Sequence, residues 1–445
     1  MRAPESPIEV LTGFDSTYLP GHDVDVAETT GHARRWRQDL ELVAACGVRR
    51  LRYPVRWHRI ERRRRSFDWE ETDRVLGYLR DHDLHPIVDL LHHTSYPRWL
   101  RLGLADRRFA GAYVAFVDAF ARRYPWVGEY TLCNEPFTTS FLCGHEGRWP
   151  PYLRGVRGFV AVAANLLPAL AEASRICAEL LPGARHVWVD TCERASATEE
   201  AQPWAELAND RRWFLLDAFL GRPLAHERPF VAQVVAAGGS RLLELQPGRV
   251  DVVGLDYYAH NQWHYLDASG RAARPSPEPA PLAELMVEAF ERYRRPCLLA
   301  ETNIRGFASD RATWLRYTLE QCEIARARGV PVEGHCWFPF VDSCDWDSIL
   351  TRAAGHLDPV GVYWLDAGLS RRPSSMSAAY ALAAAGHGSS DLPAYRLQPP
   401  VDAWLSGWSS QMAHWDWDDP PQAEVVAPLT GGGRRRGGAR RTWRR

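Results

Sequence analysis

Eight short runs of β-branched and aromatic residues alternate with eight amphipathic stretches along this chain, and few folds can absorb such an alternation. The strand-like runs are 8–14, 48–55, 85–91, 127–133, 186–191, 250–258, 296–300 and 330–338; the helix-like stretches are 32–46, 69–82, 112–123, 160–181, 205–220, 282–293, 313–328 and 374–385. Runs of 4–8 apolar residues suit strands covered on both faces, and the stretches between them carry the 3.6-residue period of helices packed on one side. Eight strand–helix units predict an α/β fold, a closed parallel (β/α)8 TIM barrel whose functional groups gather at the C-terminal strand ends. An open doubly wound sheet is the alternative; no glycine-rich dinucleotide or phosphate loop follows the first strand.

With 46% hydrophobic and 24% charged residues, 445 residues can form one large barrel domain. The 54 basic and 55 acidic residues leave a formal charge of -1, so no global field draws nucleic acid or an anionic membrane. The expected partner is a small neutral molecule. The N-terminal residues lack a basic start and long apolar segment, which gives a cytoplasmic expectation. Nine cysteines without a CxxC pair suggest core thiols rather than disulfides or zinc. Beyond 386 both periods fade: 387–430, rich in Trp, Pro and Asp, reads as an extension packing on the barrel, and 431–445, rich in Gly and Arg, as a disordered tail.

Thr131-Leu-Cys-Asn-Glu-Pro136 and Leu298-Leu-Ala-Glu-Thr-Asn303 each put a glutamate just after a strand-like run. Two carboxylates at the ends of two strands suit glycoside hydrolysis, where one protonates the leaving oxygen and the other attacks or activates water. Pro136 stops the strand, and the Asn134 amide suits a sugar hydroxyl. His145-Glu146, in the following loop, is a candidate for the mouth of the site, whereas Arg62-Arg-Arg-Arg65 reads as solvated.

Further motifs carry a resemblance. Leu51-Arg-Tyr-Pro-Val-Arg-Trp57, His93 followed by Pro97-Arg-Trp99, Asn209-Asp-Arg-Arg-Trp213 and its continuation to Pro223, Asp251-Val-Val-Gly-Leu-Asp-Tyr-Tyr258, and Trp337 with Asp345-Trp346 occur in order, followed by Gly361-Val-Tyr-Trp364 and Arg372-Pro-Ser374. Together they resemble the family 1 glycoside hydrolases, a β-glycosidase family of the retaining (β/α)8 clan. The resemblance implies that Glu135 is the acid/base and Glu301 the nucleophile, with no metal or cofactor. It also implies that Arg52, His93, Asn134, Asp256, Tyr258, Trp337, Asp345 and Trp346 bind substrate or support the pair. Arg52 is suited to keep Glu301 ionised, Tyr258 to hydrogen-bond it, and the Trp337 face to stack on a sugar ring. Strand alternation points His93 to the site and His92 to the helices.

Departures from the family pattern concern the sugar-reading half. Leu19 stands where a glutamine is usual, Asp256 where an asparagine is usual, and Asp345 near a usual glutamate, one residue too far from Trp337. The resulting expectation is a retaining exo-glycosidase for a small β-glycoside, with altered glycone recognition. A transglycosidase or family 5-like glycanase, and a non-catalytic sugar-binding barrel, stay open as alternatives.

Overall fold

The computed structural model describes residues 7–270, 272–393 and 395. Eight parallel strands close into a barrel: β1 Val10–Gly13, β2 Arg50–Pro54, β3 His85–Asp89, β4 Glu129–Thr131, β5 Arg185–Thr191, β6 Val252–Asp256, β7 Cys297–Glu301 and β8 Val332–Trp337, with β1 paired to both β2 and β8. The alternating helices are α1 His32–Ala45, α2 Glu70–Asp81, α3 Phe109–Arg123, α4 Gly155–Leu180, α5 Gln202–Phe219, α6 Leu282–Tyr293, α7 Ala308–Ala327 and α8 Ser375–Ala384. Every expected strand and helix is present. The fourth strand is shorter than expected, and beyond it Asn134 makes isolated bridges to His92 and Val189.

Two apolar layers hold the barrel. Leu11, Ile87, Val187, Val189, Val252, Leu298, Ala300, Cys336 and Phe338 form a separate cluster contributed by the strands, and a much larger cluster packs helices on strands. Gly254 has no room for a side chain: a Cβ there would stand 2.8 Å from the Trp188 carbonyl oxygen and 3.0 Å from Ala300 Cβ. At the N-terminal mouth, Arg50 bonds Glu129 at 2.6 Å and Glu9 at 3.1 Å, and Arg185 bonds Glu333 at 2.6 Å. These ion pairs fasten the barrel at the end where no chemistry is expected.

Helix α4 is long and apolar enough to cross a bilayer by length and composition, yet over half of its most apolar window is buried against the rest of the protein. All nine cysteines are buried and unpaired. The C-terminal expectations lie almost entirely outside the described residues.

At the C-terminal mouth, three strands outside the barrel form a small sheet. Gln262–Tyr265, after β6, pairs in parallel with Arg194–Ala197, after β5, and antiparallel with Ala273–Pro275.

Candidate active site

A cavity of about 260 Å³ opens at the C-terminal ends of the strands, and both Glu135 and Glu301 line it. Glu301 ends β7 and is nearly enclosed. Its Oε1 accepts from Arg52 Nη1 at 2.5 Å and its Oε2 from the Tyr258 hydroxyl at 2.7 Å. Arg52, on β2, also donates through Nη2 to Asn134 Oδ1 at 2.5 Å and lies 3.5 Å from Asp89. Burial opposes its charge, but Glu301, Asp256 and Asp89 together outweigh burial and hold the guanidinium protonated. Burial, then the charge of Glu301, pushes the Tyr258 phenol well above its usual range, so it remains an O–H donor.

Glu135 occupies a left-handed turn with φ of 41°, directly between the Asn134 bridge and a short helix, Pro136–Ser140, that starts on the proline. Proline suits this first helical position, which needs no N–H donor. Burial, then the charge of Glu301, pushes the Glu135 carboxyl well above the usual carboxylate range. The nearby Asp190 is raised by burial too, and accepts from the Phe137 and Thr191 amides. One carboxylate is therefore bound by a cation and a phenol, and the other is held toward its neutral form. A site with opposite protonation demands on two carboxyl groups can donate a proton and a nucleophile together.

His92 and His93 both line the cavity, contrary to the expectation that His92 faces the helices. His93 adopts a left-handed backbone with φ of 53°, which breaks the two-residue alternation of an extended strand. His93 Nε2 accepts from Asn134 Nδ2 at 3.2 Å, and its Nδ1 then donates to Thr139 Oγ1 at 2.8 Å. Burial and the charge of His92 lower its pKa well below the usual value, keeping it neutral. His92 instead lies between Asp89, at 2.7 Å, and Asp15, at 3.3 Å. Burial opposes its protonation, but hydrogen bonds and charge from these carboxylates prevail and push it up to about 10. Asp15 is in turn held at about 2, because His92 and Thr17 outweigh its burial.

Trp346 also lines the cavity, with its indole N–H donating to Asp15 at 2.7 Å. Five of the ten expected site residues thus meet there: Glu135, Glu301, His93, Tyr258 and Trp346. Arg52 and Asn134 do not line it; Arg52 braces Glu301, and both polar ends of the Asn134 amide are engaged by Arg52 and His93.

Three expectations are corrected. Trp337 is fully buried, donates to the Val360 carbonyl at 2.9 Å and presents no face to a sugar; Phe338, one residue on, lines the cavity instead. Adjacent strand residues face opposite ways, so a one-residue error exchanges core and site. Counting from Phe338 also removes the extra residue before Asp345. Asp345 is no sugar reader: its carboxylate accepts from the Ala354, Gly355 and His356 amides at 2.8–3.2 Å and folds the loop after β8. Asp256 is fully buried beside Glu301 in the β6–β7 register and does not line the cavity. Neither of its oxygens has a hydrogen-bond partner among the described residues, and burial, then Glu301, pushes its pKa well above the usual range.

Leu19 is likewise fully buried, and Asp15 supplies a polar wall near that end of β1. Asp15, His92 and Phe338 carried no distinguishing sequence signal. Arg211, Trp263 and Tyr265, which line the cavity together with Glu193 and Glu146, lay inside or near recognised motifs without being singled out. His145 pairs with Glu146, and only the glutamate lines the cavity. Among the described residues, no group of three or more His, Cys, Asp and Glu side chains is arranged to hold a metal ion.

No protein-family model matches the sequence. Curated relatives do. The chain is 22% identical to β-glucosidase A of Thermotoga maritima over 383 residues, covering 77% of this chain and 83% of that one. It is 26% identical to thermostable β-glucosidase B of Thermobispora bispora over 386 residues, covering 76% and 78%. Among solved structures, the Thermotoga maritima β-glucosidase in complex with deoxynojirimycin superposes with a TM-score of 0.72 at 17% identity, covering 87% of this chain and 99% of the other. The barrel fold is shared, and the chain is a divergent relative of these enzymes.

Proposed function

We propose that this chain, a glycoside hydrolase by kinship, cleaves a small β-glycoside with retention of anomeric configuration through a covalent glycosyl-enzyme. In the first step Glu301 attacks the anomeric carbon while Glu135 passes its proton to the departing oxygen, so the C–O bond breaks as the aglycone leaves as an alcohol. Esterification then removes the negative charge from Glu301. The pKa of Glu135 falls with it, and Glu135 can take a proton from the water that displaces Glu301.

The observation that carries this reading is the unequal treatment of the pair. Arg52 and Tyr258 both donate to Glu301, whereas burial and the field of Glu301 favour a protonated Glu135. A sugar-binding barrel gains nothing from confining two carboxylates in one cavity, because their repulsion and desolvation oppose folding. The cluster of buried Asp15 and His92 with half-buried Trp346 suits the glycone side, where fixed polar groups meet ring hydroxyls.

A panel of aryl β-glycosides differing in the sugar identifies the glycone. Proton NMR of the first product should then show the β-anomer, and a 2-deoxy-2-fluoro analogue of the best substrate should leave a covalent adduct on Glu301 by peptide mass spectrometry. An α-anomer as first product, or an adduct on another residue, would sink the assignment.

A further inference from the structure

Asp89 ends β3, and the register of the barrel sets it beside Arg52. Ile87, two residues back, belongs to the apolar cluster contributed by the strands and is the register partner of Arg52. Register partners share a face, as do residues two apart, so Asp89 and Arg52 lie one diagonal step from each other on the same face. His92, three residues on, reaches back to the same carboxylate. One oxygen, Oδ2, accepts from both cations: from His92 Nδ1 at 2.7 Å and from Arg52 Nη2 at 3.5 Å. The other oxygen, Oδ1, has no hydrogen-bond partner among the described residues.

The contacts form a row of alternating charge, Asp15, His92, Asp89, Arg52 and Glu301, with successive gaps of 3.3, 2.7, 3.5 and 2.5 Å. All five side chains are buried. Burial opposes the charge on His92, but Asp15 and Asp89 prevail and push its pKa up to about 10, so it is an imidazolium at neutral pH. The longest gap in the row is the one between Asp89 and Arg52. The guanidinium is thus held loosely by Asp89 and closely by Glu301 and Asn134, each at 2.5 Å. A carboxylate and a guanidinium attract strongly away from water, so a gap this loose needs a competitor for the carboxylate. The imidazolium is that competitor.

We propose that His92 is a positioning residue for the nucleophile: by occupying Asp89 it leaves Arg52 free to orient Glu301. The proposal rests on the hydrolase reading for the identity of the nucleophile. Without the imidazolium, Asp89 has Arg52 as its one cation in the row, and a guanidinium drawn toward Asp89 braces Glu301 less. The damage is repairable at a distance, because removing the Asp89 charge returns Arg52 to Glu301 while His92 is still missing. His92 also lines the cavity, so direct contact with the sugar is the competing role. Loss of such a contact would not be repaired by a change at Asp89.

The test compares the native chain, His92→Gln, and His92→Gln combined with Asp89→Asn. The readout is the rate at which a dinitrophenyl 2-deoxy-2-fluoro glycoside esterifies Glu301, followed by mass spectrometry; a leaving group that needs no proton confines the reading to the nucleophile. His92→Gln should slow esterification about 10²-fold, the effect of a misplacement of about 1 Å, and the double variant should regain about tenfold or more of that loss. Crystal structures give a second readout that needs no turnover: in His92→Gln, Arg52 should close on Asp89 to about 3 Å and withdraw from Glu301. A double variant as slow as His92→Gln, or an Arg52 unmoved in His92→Gln, would each overturn the proposal. If His92→Gln alone does not fold, the double variant decides, since its row is again balanced: esterification within about tenfold of native supports the proposal, and a greater loss or a failure to fold overturns it. If Arg52 moves as expected and the native chain forms no glycosyl ester, the hold of His92 on Arg52 and Glu301 stands and the hydrolase reading falls.

Discussion

Replacing Arg52 with methionine should remove both the cation that braces the nucleophile and much of the stability of the barrel. The native guanidinium is 1% exposed, donates at 2.5 Å to Glu301 and to Asn134 and at 3.2 Å to the Ala300 carbonyl, and lies 5.2 Å from the Phe338 ring. Methionine fills similar space with no donor, leaving Glu301 its Tyr258 bond alone. Breaking a buried ion pair by deleting one partner costs about 3–5 kcal/mol. Glu301 also loses the group that orients it toward the anomeric carbon, so kcat/KM should fall at least about 10³-fold. Arg52→Lys keeps a charge but cannot fork between Glu301 and Asn134, and should lie between the two. Urea unfolding at pH 8, with kcat/KM on an activated aryl glycoside, measures both effects. An Arg52→Met protein within about 1 kcal/mol of native stability at pH 8 and within tenfold of native activity would refute the argument.

Other expectations follow from neighbouring groups. Glu301→Ala should abolish turnover even of activated aryl glycosides, whereas Glu135→Ala should lose mainly poor leaving groups and regain rate with azide, giving a β-glycosyl azide identifiable by NMR. His92, pushed up to about 10 from an ordinary 6.5, contributes stability that is complete below pH 6.5 and lost as pH rises through about 10. The native melting temperature should therefore decline across that interval, and Asp15→Asn, which removes one carboxylate partner, should flatten the decline. Leu19→Gln would place an amide in a fully buried apolar position, so a loss of roughly 1–3 kcal/mol in urea unfolding is expected, with no gain on β-glucosides.

The barrel was legible because covered parallel strands and one-sided helices leave different periods in the sequence, and each period spans enough residues to be counted. The two glutamates were legible for a related reason: strand ends are marked by the end of an apolar run. The walls were not. His93 and Glu135 both take left-handed backbones, so the side-chain parity of their strands stops just where the site begins. The ladder between β7 and β8 likewise shifts register, Cys297 pairing with Val332 and Leu298 with Gly334, which leaves the choice between Trp337 and Phe338 undetermined by counting along one strand. Asp15 reaches the cavity from the loop beyond β1, and Arg211 from an outer helix. Neither position is fixed by local pattern, since only the packing of distant segments brings them to the mouth. Asp345 shows the converse, for a carboxylate in a recognised motif was enlisted by three backbone amides of its own loop.

The small sheet at the mouth ties together two loops that the chain makes separately. Arg194–Ala197 and Gln262–Tyr265 complete each other's hydrogen bonds although β6 intervenes between them in sequence. Barrel enzymes are often pictured as a scaffold whose loops can be exchanged one at a time, and here that freedom is curtailed. A graft of either loop alone would leave the other with an unsatisfied strand edge, open to pairing with foreign chains. Recombination, natural or in the laboratory, would have to move both segments as a linked pair, and substitutions in one should be tolerated according to what the other carries.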